Sequence, residues 1–296
     1  MNENPILNRR RFVGTALTLV STFGRQRAAG ALGLAPETGA CRLVPEQEVG
    51  PYYVSDELLR SNIVEGKPGV PLSLRLVVLH AEDCKPLPNV AVDLWHCDAL
   101  GLYSGFTKQN PMGPGGPPPG FDPEHPRNHP GPPEGMMGPP PQNSPTDKLT
   151  FLRGIQLSDA EGVVVFQTVF PGFYMGRTNH IHFKVRVGGE KAGRSYGAGH
   201  TSHVGQIFFP EDLSIKLMQY KPYTEHNIHR TTQAEDQVYN DQEGELSVAR
   251  LVALNTDDLS AGLHADLIAA VDPIATPAPA GRRPGPDRRP GSGPPN

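Results

Sequence analysis

The stretch Pro171–Val185 reads PGFYMGRTNHIHFKV, and its second half alternates apolar with polar residues. Residues two apart on a strand face the same way. Ile181, Phe183 and Val185 therefore share a face suited to a sheet core, while His180, His182 and Lys184 share the opposite, outer surface. Two histidines so spaced can ligate one metal ion, or can simply be surface residues. Tyr174 and Arg177 lie just upstream. The segment is either a strand with polar decoration or the floor of a metal site.

Working outward, the same alternation recurs. Leu72–His80 places Leu72, Leu74, Leu76 and Val78 on one face. Val90–His96, Gly162–Val169 and His203–Phe209 read as further strands, with turn signals such as SDAEG between them. Near the end, Leu263, Ala265, Leu267, Ala269 and Val271 fall on one face of a last strand. Short helices are expected only near Asp56–Arg60 and Gln242–Leu254. Several short strands separated by turns predict an all-β fold, a β-sandwich of prealbumin or immunoglobulin type with long irregular loops.

The chain has 296 residues and a formal net charge of -4, with no basic field that would suggest nucleic acid as a partner. Its 33 glycines and 33 prolines are clustered, so they mark particular segments. Residues 110–144 hold too many prolines to join a ladder and too few apolar residues to pack, and read as an insertion between strands. Residues 274–296 read as a disordered Pro/Arg/Gly tail.

The N-terminus, NRRRFVGTALTLVSTFG over Asn8–Gly24, sets arginines before a short apolar run. The run is shorter than the ~20 residues a spanning helix needs. It resembles a twin-arginine signal. This assigns 1–31 to a signal peptide and 32–44 to a lead-in, and predicts an exported protein with no stable membrane span in its mature form. Export permits a disulfide. The strand from Val90 to Cys97 extends roughly 25 Å, which separates Cys97 from Cys84, so Cys41 is the better partner for Cys84.

The donor types narrow the choice of metal. A cupin-type iron site needs a glutamate four or five residues after the second histidine, where Arg186 and Val187 stand. No thiolate accompanies the pair, which argues against cysteine–zinc. Tyr174 and Tyr103 are the nearby donors. A free phenol ionises near pH 10, so only a strongly Lewis-acidic cation would hold it as phenolate at neutral pH. Anionic oxygen with imidazole points to a trivalent ion, Fe(III) first.

Several motifs then match a known family. EVGPYYV (Glu48–Val54), NVAVDLWHCDALGLYSG (Asn89–Gly105), the block FLRGIQLSDAEGVVVFQTVFPGFYMGR with HIHFKV, and GQIFFPED (Gly205–Asp212) resemble the intradiol ring-cleavage dioxygenases, the catechol and protocatechuate dioxygenase group. The resemblance covers residues 45–273. It implies Tyr103, Tyr174, His180 and His182 as ligands of Fe(III), with no organic cofactor. It also implies Arg177 beside the substrate ring, Gln206 at the back of the pocket, and Tyr52 and Tyr53 lining it. Arg177, Tyr174 and Gln206 would act in catalysis. The partners implied are a small aromatic diol and O2, and the product a cis,cis-muconate-type diacid.

Three features depart from the better-known members. The link from Tyr174 to His180 is only five residues, MGRTN, which implies a more open mouth and admits hydroxyquinol or lignin-derived catechols as well as catechol. The family's helical dimerisation segment is missing, which leaves homodimerisation open. The insertion and export signal resemble an exported branch. The competing reading is an exported prealbumin-like binding module without catalytic iron, in which a PGxY exit serves packing alone. His96 reads as a satisfied interior histidine, Trp95 as core, and His226 and His229 as surface.

Overall fold

The leucine alternation of Pro71–His80 becomes the middle of a sheet in the computed structural model, which describes residues 42–55, 58–108 and 144–277. The expected signal segment, most of the lead-in, nearly all of the 110–144 insertion and most of the tail lie outside the described residues.

Two four-stranded sheets face each other. The first has the order β4-β1-β10-β9 and comprises β1 (Pro71–His80), β4 (Val163–Val169), β9 (Arg250–Ala253) and β10 (Leu263–Val271). Only β1 and β10 run parallel, in register from Leu72 with Leu263 to His80 with Val271. The second sheet is antiparallel, β3-β2-β5-β8, with β2 (Ala91–Trp95), β3 (Arg153–Leu157), β5 (His180–Val187) and β8 (His200–Phe208). β6 (Glu190–Ala192) and β7 (Ser195–Gly197) form a small separate hairpin. Two short helices follow, α1 (Glu211–Leu217) and α2 (Gln237–Asp241).

The predicted core faces meet between the sheets. Leu72, Leu74, Leu76 and Val78 of β1 and Leu263 to Val271 of β10 pack against Val92, Leu94, Ile181, Phe183, Val185 and Ile207 of the second sheet. Burying one such side chain contributes about 1.5–3 kcal/mol. The Arg75–Asp266 pair, whose arginine is about a third exposed and whose contact is a long 3.4 Å, is worth about 1 kcal/mol or less. Apolar packing therefore holds the sandwich. Among the described residues, no helix is long and apolar enough to cross a membrane.

The short elements depart from expectation. Leu58 and Leu59 make β-bridges to Ser195 and Ile155 rather than a helix, and residues 56–57 lie outside the described residues. Gln242–Leu254 forms one 3-10 turn, Gly244–Ser247, and then β9. Pairing with β10 decides that outcome, and such pairing is invisible to local propensity. β3 and the β6–β7 hairpin were not foreseen, because RGIQL alternates weakly and the hairpin is polar and glycine-flanked. α1 carries a helix-start signal, Pro210 followed by Glu211 and Asp212.

Cys97 is free and buried, as expected, and Cys84 is disulfide-bonded. The expected partner, Cys41, lies outside the described residues.

His96 ties the two sheets together. Its Nδ1–H donates to the Cys97 carbonyl and its Nε2 accepts from Thr168 Oγ1 on β4, both at 2.7 Å. Burial lowers its pKa to about 4. In the unfolded chain a histidine titrates near 6.5. Between those values only the unfolded state takes up this proton, so stability falls as pH drops from about 6.5 to 4. Denaturant titrations should show the stability difference between wild type and His96→Gln shrinking by about 2–3 kcal/mol from pH 7 to pH 4. A difference independent of pH would contradict this account.

Candidate metal centre

The second sheet is buried on both faces. Its inner face joins the core. Its outer face carries His180 and His182 of β5, Trp95 of β2 and Gln206 of β8, with Trp95, His182 and Gln206 in one cross-strand row. Tyr52, Tyr103, Phe106 and Tyr174 cover that face. The two histidines, expected on an open surface, are each only 1% exposed. Tyr174 comes from the loop just before β5, but Tyr52, Tyr103 and Phe106 come from segments distant in sequence, so alternation within β5 could not reveal the cover.

The imidazoles converge. His180 Nε2 lies 3.1 Å from His182 Nε2. His180 Nδ1–H donates to the Thr178 carbonyl at 2.7 Å, which leaves the Nε2 lone pair facing inward. His182 stacks flat on Trp95, with centroids 5.0 Å apart and planes at 4°. Burial, and then the charge of Arg177, lowers both pKa values well below the histidine norm. Both rings are therefore neutral, the form that ligates a metal.

The tyrosines reach this point on two loops locked together. Asp98 Oδ1 accepts from the Leu100 and Leu102 amides, at 3.0 and 2.9 Å, and shapes the turn that delivers Tyr103. The exit from β4 passes beside that turn at Gly172. A Cβ on Gly172 would stand 2.4 Å from the Asp98 carbonyl oxygen and 2.7 Å from Ala99 backbone atoms, so only glycine permits the approach. Gly176, at φ 81°, then closes a turn in which Arg177 N–H donates to the Tyr174 carbonyl at 3.0 Å.

Ring centroids of Tyr103 and Tyr174 lie 5.8 Å apart, Tyr174 and His180 5.6 Å, and Tyr103 and His182 6.3 Å. Tyr103 Oη is buried without a hydrogen-bond partner. Burial raises the pKa of both phenols. Tyr174 adds to the rise at Tyr103, while Arg177 opposes the rise at Tyr174.

Arg177 is the buried cation of the site. Its Nε donates to both oxygens of Asp236 at 3.1 Å, its Nη2 to Gln206 Oε1, and its Nη1 to Tyr174 Oη at a long 3.4 Å. Glu48 lies 3.8 Å from Nη1. Gln206 Nε2 donates in turn to the Glu48 carbonyl at 2.9 Å. Tyr52 stacks on Tyr103 at 4.6 Å. Tyr53 packs at the edge of the cluster: its hydroxyl donates to Asp93 at 2.9 Å and its ring packs on Trp95.

The roles of several supporting residues are set only by the fold. Asp236 and Glu48 flank Arg177. Arg153 bridges Ser104 Oγ and the Tyr52 carbonyl, at 2.7 Å each, which ties the opening segment to the Tyr103 turn. Only the folded arrangement brings these to the site. Trp95, read as core, is also the platform under His182. His226, read as surface, is partly buried and hydrogen-bonds the Phe173 carbonyl at 3.0 Å through Nε2.

The residues present fit a hard trivalent ion. Two neutral imidazole nitrogens, an unpartnered buried phenol and a second phenol share one pocket of space. Among the described residues, no group of three or more His, Cys, Asp or Glu offers an alternative metal cluster. Phenols whose pKa is raised by burial would ionise here only beside a strong cation.

No protein-family model matches the chain, and no curated protein does. Solved structures do match. An intradiol ring-cleavage dioxygenase from Tetranychus urticae is 30% identical with a TM-score of 0.62, over 80% of this chain and 97% of that one. A second dioxygenase structure is also 30% identical, with a TM-score of 0.61 and coverage of 80% and 97%. The sandwich and its buried phenol–imidazole cluster thus sit within a class of oxygenases. The chain belongs to the intradiol ring-cleavage dioxygenase family and is an enzyme of that type. The binding-module alternative has no comparable support.

Gly172→Ala should force the two tyrosine-bearing loops apart. The expected loss is about 1–3 kcal/mol of stability, read by urea denaturation. A variant as stable as wild type would show that the 2.4 Å approach is not a constraint.

Proposed function

We propose that the protein is an exported ferric dioxygenase that inserts both atoms of O2 between the hydroxyl-bearing carbons of a catechol-type diol, yielding a cis,cis-muconate-type diacid. The observation that carries this reading is the pair of neutral imidazole nitrogens 3.1 Å apart beside the unpartnered Tyr103 hydroxyl. Tyr103, Tyr174, His180 and His182 are the proposed ligands. A ferric ion would supply the Lewis acidity that favours ionisation of the diol and its reaction with O2.

The chain's own residues handle charge and protons. As a metal ligand Tyr174 would be a phenolate, and its Oη would accept one diol proton, since burial raises its pKa and favours the protonated product. Arg177 Nη1, 3.4 Å from that oxygen, offers fixed positive charge to the anion that forms. Gln206 takes the other terminal nitrogen of Arg177 and keeps the guanidinium in plane with the site. Tyr52 and Phe106 wall the cluster with aromatic surface and exclude water from it. Tyr53 packs on Trp95 at the edge of the same cluster.

Export is supported by the twin-arginine-like start and by the disulfide at Cys84, a bond that persists in oxidising compartments. The five-residue link between Tyr174 and His180 supports an open mouth that admits substituted catechols.

Purified protein loaded with ferric iron should be red-brown through phenolate-to-iron charge transfer, and chelation of the iron should remove both colour and turnover. Tyr103→Phe/Tyr174→Phe should abolish the band. A surviving band would remove the tyrosines as ligands. Arg177→Ala should keep the colour yet lose roughly 100- to 1,000-fold in turnover. Oxygen uptake against a panel of catechols, with ring-opened products identified, tests the reaction. Colourless iron-loaded protein inert to every catechol would overturn it.

A further inference from the structure

Asp236 has no solvent exposure and lies outside the motifs that define the ligands and Arg177. Both its oxygens accept from Arg177 Nε, at 3.1 Å each. Oδ1 also accepts from the Tyr239 amide at 3.1 Å, where Asp236 caps α2, and Oδ2 accepts from the Thr178 amide at 2.9 Å.

A helix cap and a loop amide need neither a full charge nor complete burial. Asparagine or serine serves equally well as a cap. A buried carboxylate is tolerable only when a cation and several donors satisfy it, and here the cation is Arg177. The guanidinium is a rigid planar fork. With Nε held by Asp236 and Nη2 by Gln206, the direction of Nη1 is fixed, and Nη1 is the nitrogen that faces Tyr174 Oη. Glu48, 3.8 Å from the same nitrogen and partly exposed, would otherwise compete to draw the side chain outward.

We propose that Asp236 is a positioning residue for ring cleavage: it anchors the rear edge of Arg177 so that Nη1 is aimed at Tyr174 Oη and the space beside it. The proposal rests on the reading of Arg177 given above. It adds that the aim of the arginine is set by a carboxylate from the segment leading into α2.

A kinetic double-mutant cycle tests this, using iron-loaded full-length protein with catechol as substrate. Asp236→Asn keeps an acceptor for the cap but loses the charge. In the native background it should lower kcat at least about tenfold with little change in KM. Beside Arg177→Met it should change kcat by less than about threefold, since the group it positions is gone. Equal losses in both backgrounds would overturn the proposal, because a merely structural cap acts regardless of Arg177.

If Asp236→Asn does not fold, Asp236→Glu replaces it. Glutamate keeps the charge but displaces it by one methylene, and its loss of kcat should likewise be confined to the native background. A second readout needs no iron. In metal-free protein the Arg177 Nε–H NMR signal, assigned by its absence in Arg177→Met, should exchange with solvent at least about tenfold faster in Asp236→Asn. Unchanged protection would refute the anchor. Iron-loaded wild type that cleaves no catechol would instead overturn the functional reading, with the NMR comparison still judging the anchor itself.

Discussion

Two neutral imidazoles held 3.1 Å apart inside a protein set the terms for everything around them. Neither can be charged, because burial and the neighbouring arginine both oppose it. Both therefore present lone pairs or a shared proton to the same small space. A sheet surface open to water would let each ring turn and protonate independently. The second sheet has to be covered on its outer face, and the coverage has to come from chain that is not part of the sheet. Among the described residues, that cover comes from the connections that carry Tyr52, Tyr103, Phe106 and Tyr174.

Those connections are fixed by aromatic packing, by one close backbone approach and by side-chain hydrogen bonds. The Tyr103 turn and the Tyr174 exit touch at Gly172, where no side chain would fit. Asp98 fixes one of the two loops from within, through its bonds to Leu100 and Leu102. Arg153 fastens the opening segment to the same turn through Ser104 and the Tyr52 carbonyl. Burial lowers the Arg153 pKa to about 10, so it remains charged at neutral pH and keeps its hydrogen bonds. Rigid loops on a rigid sheet are what a preorganised site requires.

The long strands were legible in the sequence because their alternation reflects one local cause, a buried face opposite a less buried one. β1 obeys it from Leu72 to Val78, while in β10 Asp266 and Ala270 on the opposite face are buried as well. The cluster residues Tyr103, Tyr174, His180, His182, Arg177 and Gln206 were also legible, through motifs whose spacing survives folding, and the structure brings all six together. What escaped notice depends on contacts between distant segments. β9 reads as helix until its pairing with β10 is known. Tyr53 looks equivalent to Tyr52 in the motif, but Tyr52 stacks on Tyr103 while Asp93 captures the Tyr53 hydroxyl. Asp236 and Glu48 flank Arg177 from opposite ends of the chain; Glu48 opens a quoted motif, but Asp236 sits in no pattern that local reading could weigh.

The charge arrangement around Arg177 bears on how such a site can work. An isolated guanidinium this deeply buried would be costly, and it would pull the Tyr174 phenol toward ionisation on its own. Asp236 offsets most of that field from behind, and Glu48 offsets more from the side. The net charge of the trio is negative, yet Nη1 still projects a local positive edge toward Tyr174 Oη. Direction, not total charge, is thus what the arginine contributes. A group that ionises in front of Nη1 gains stabilisation that a neutral one does not. Differential stabilisation of this kind favours a developing anion over a resting neutral ligand, which is the property a catalyst needs and a simple binding pocket does not.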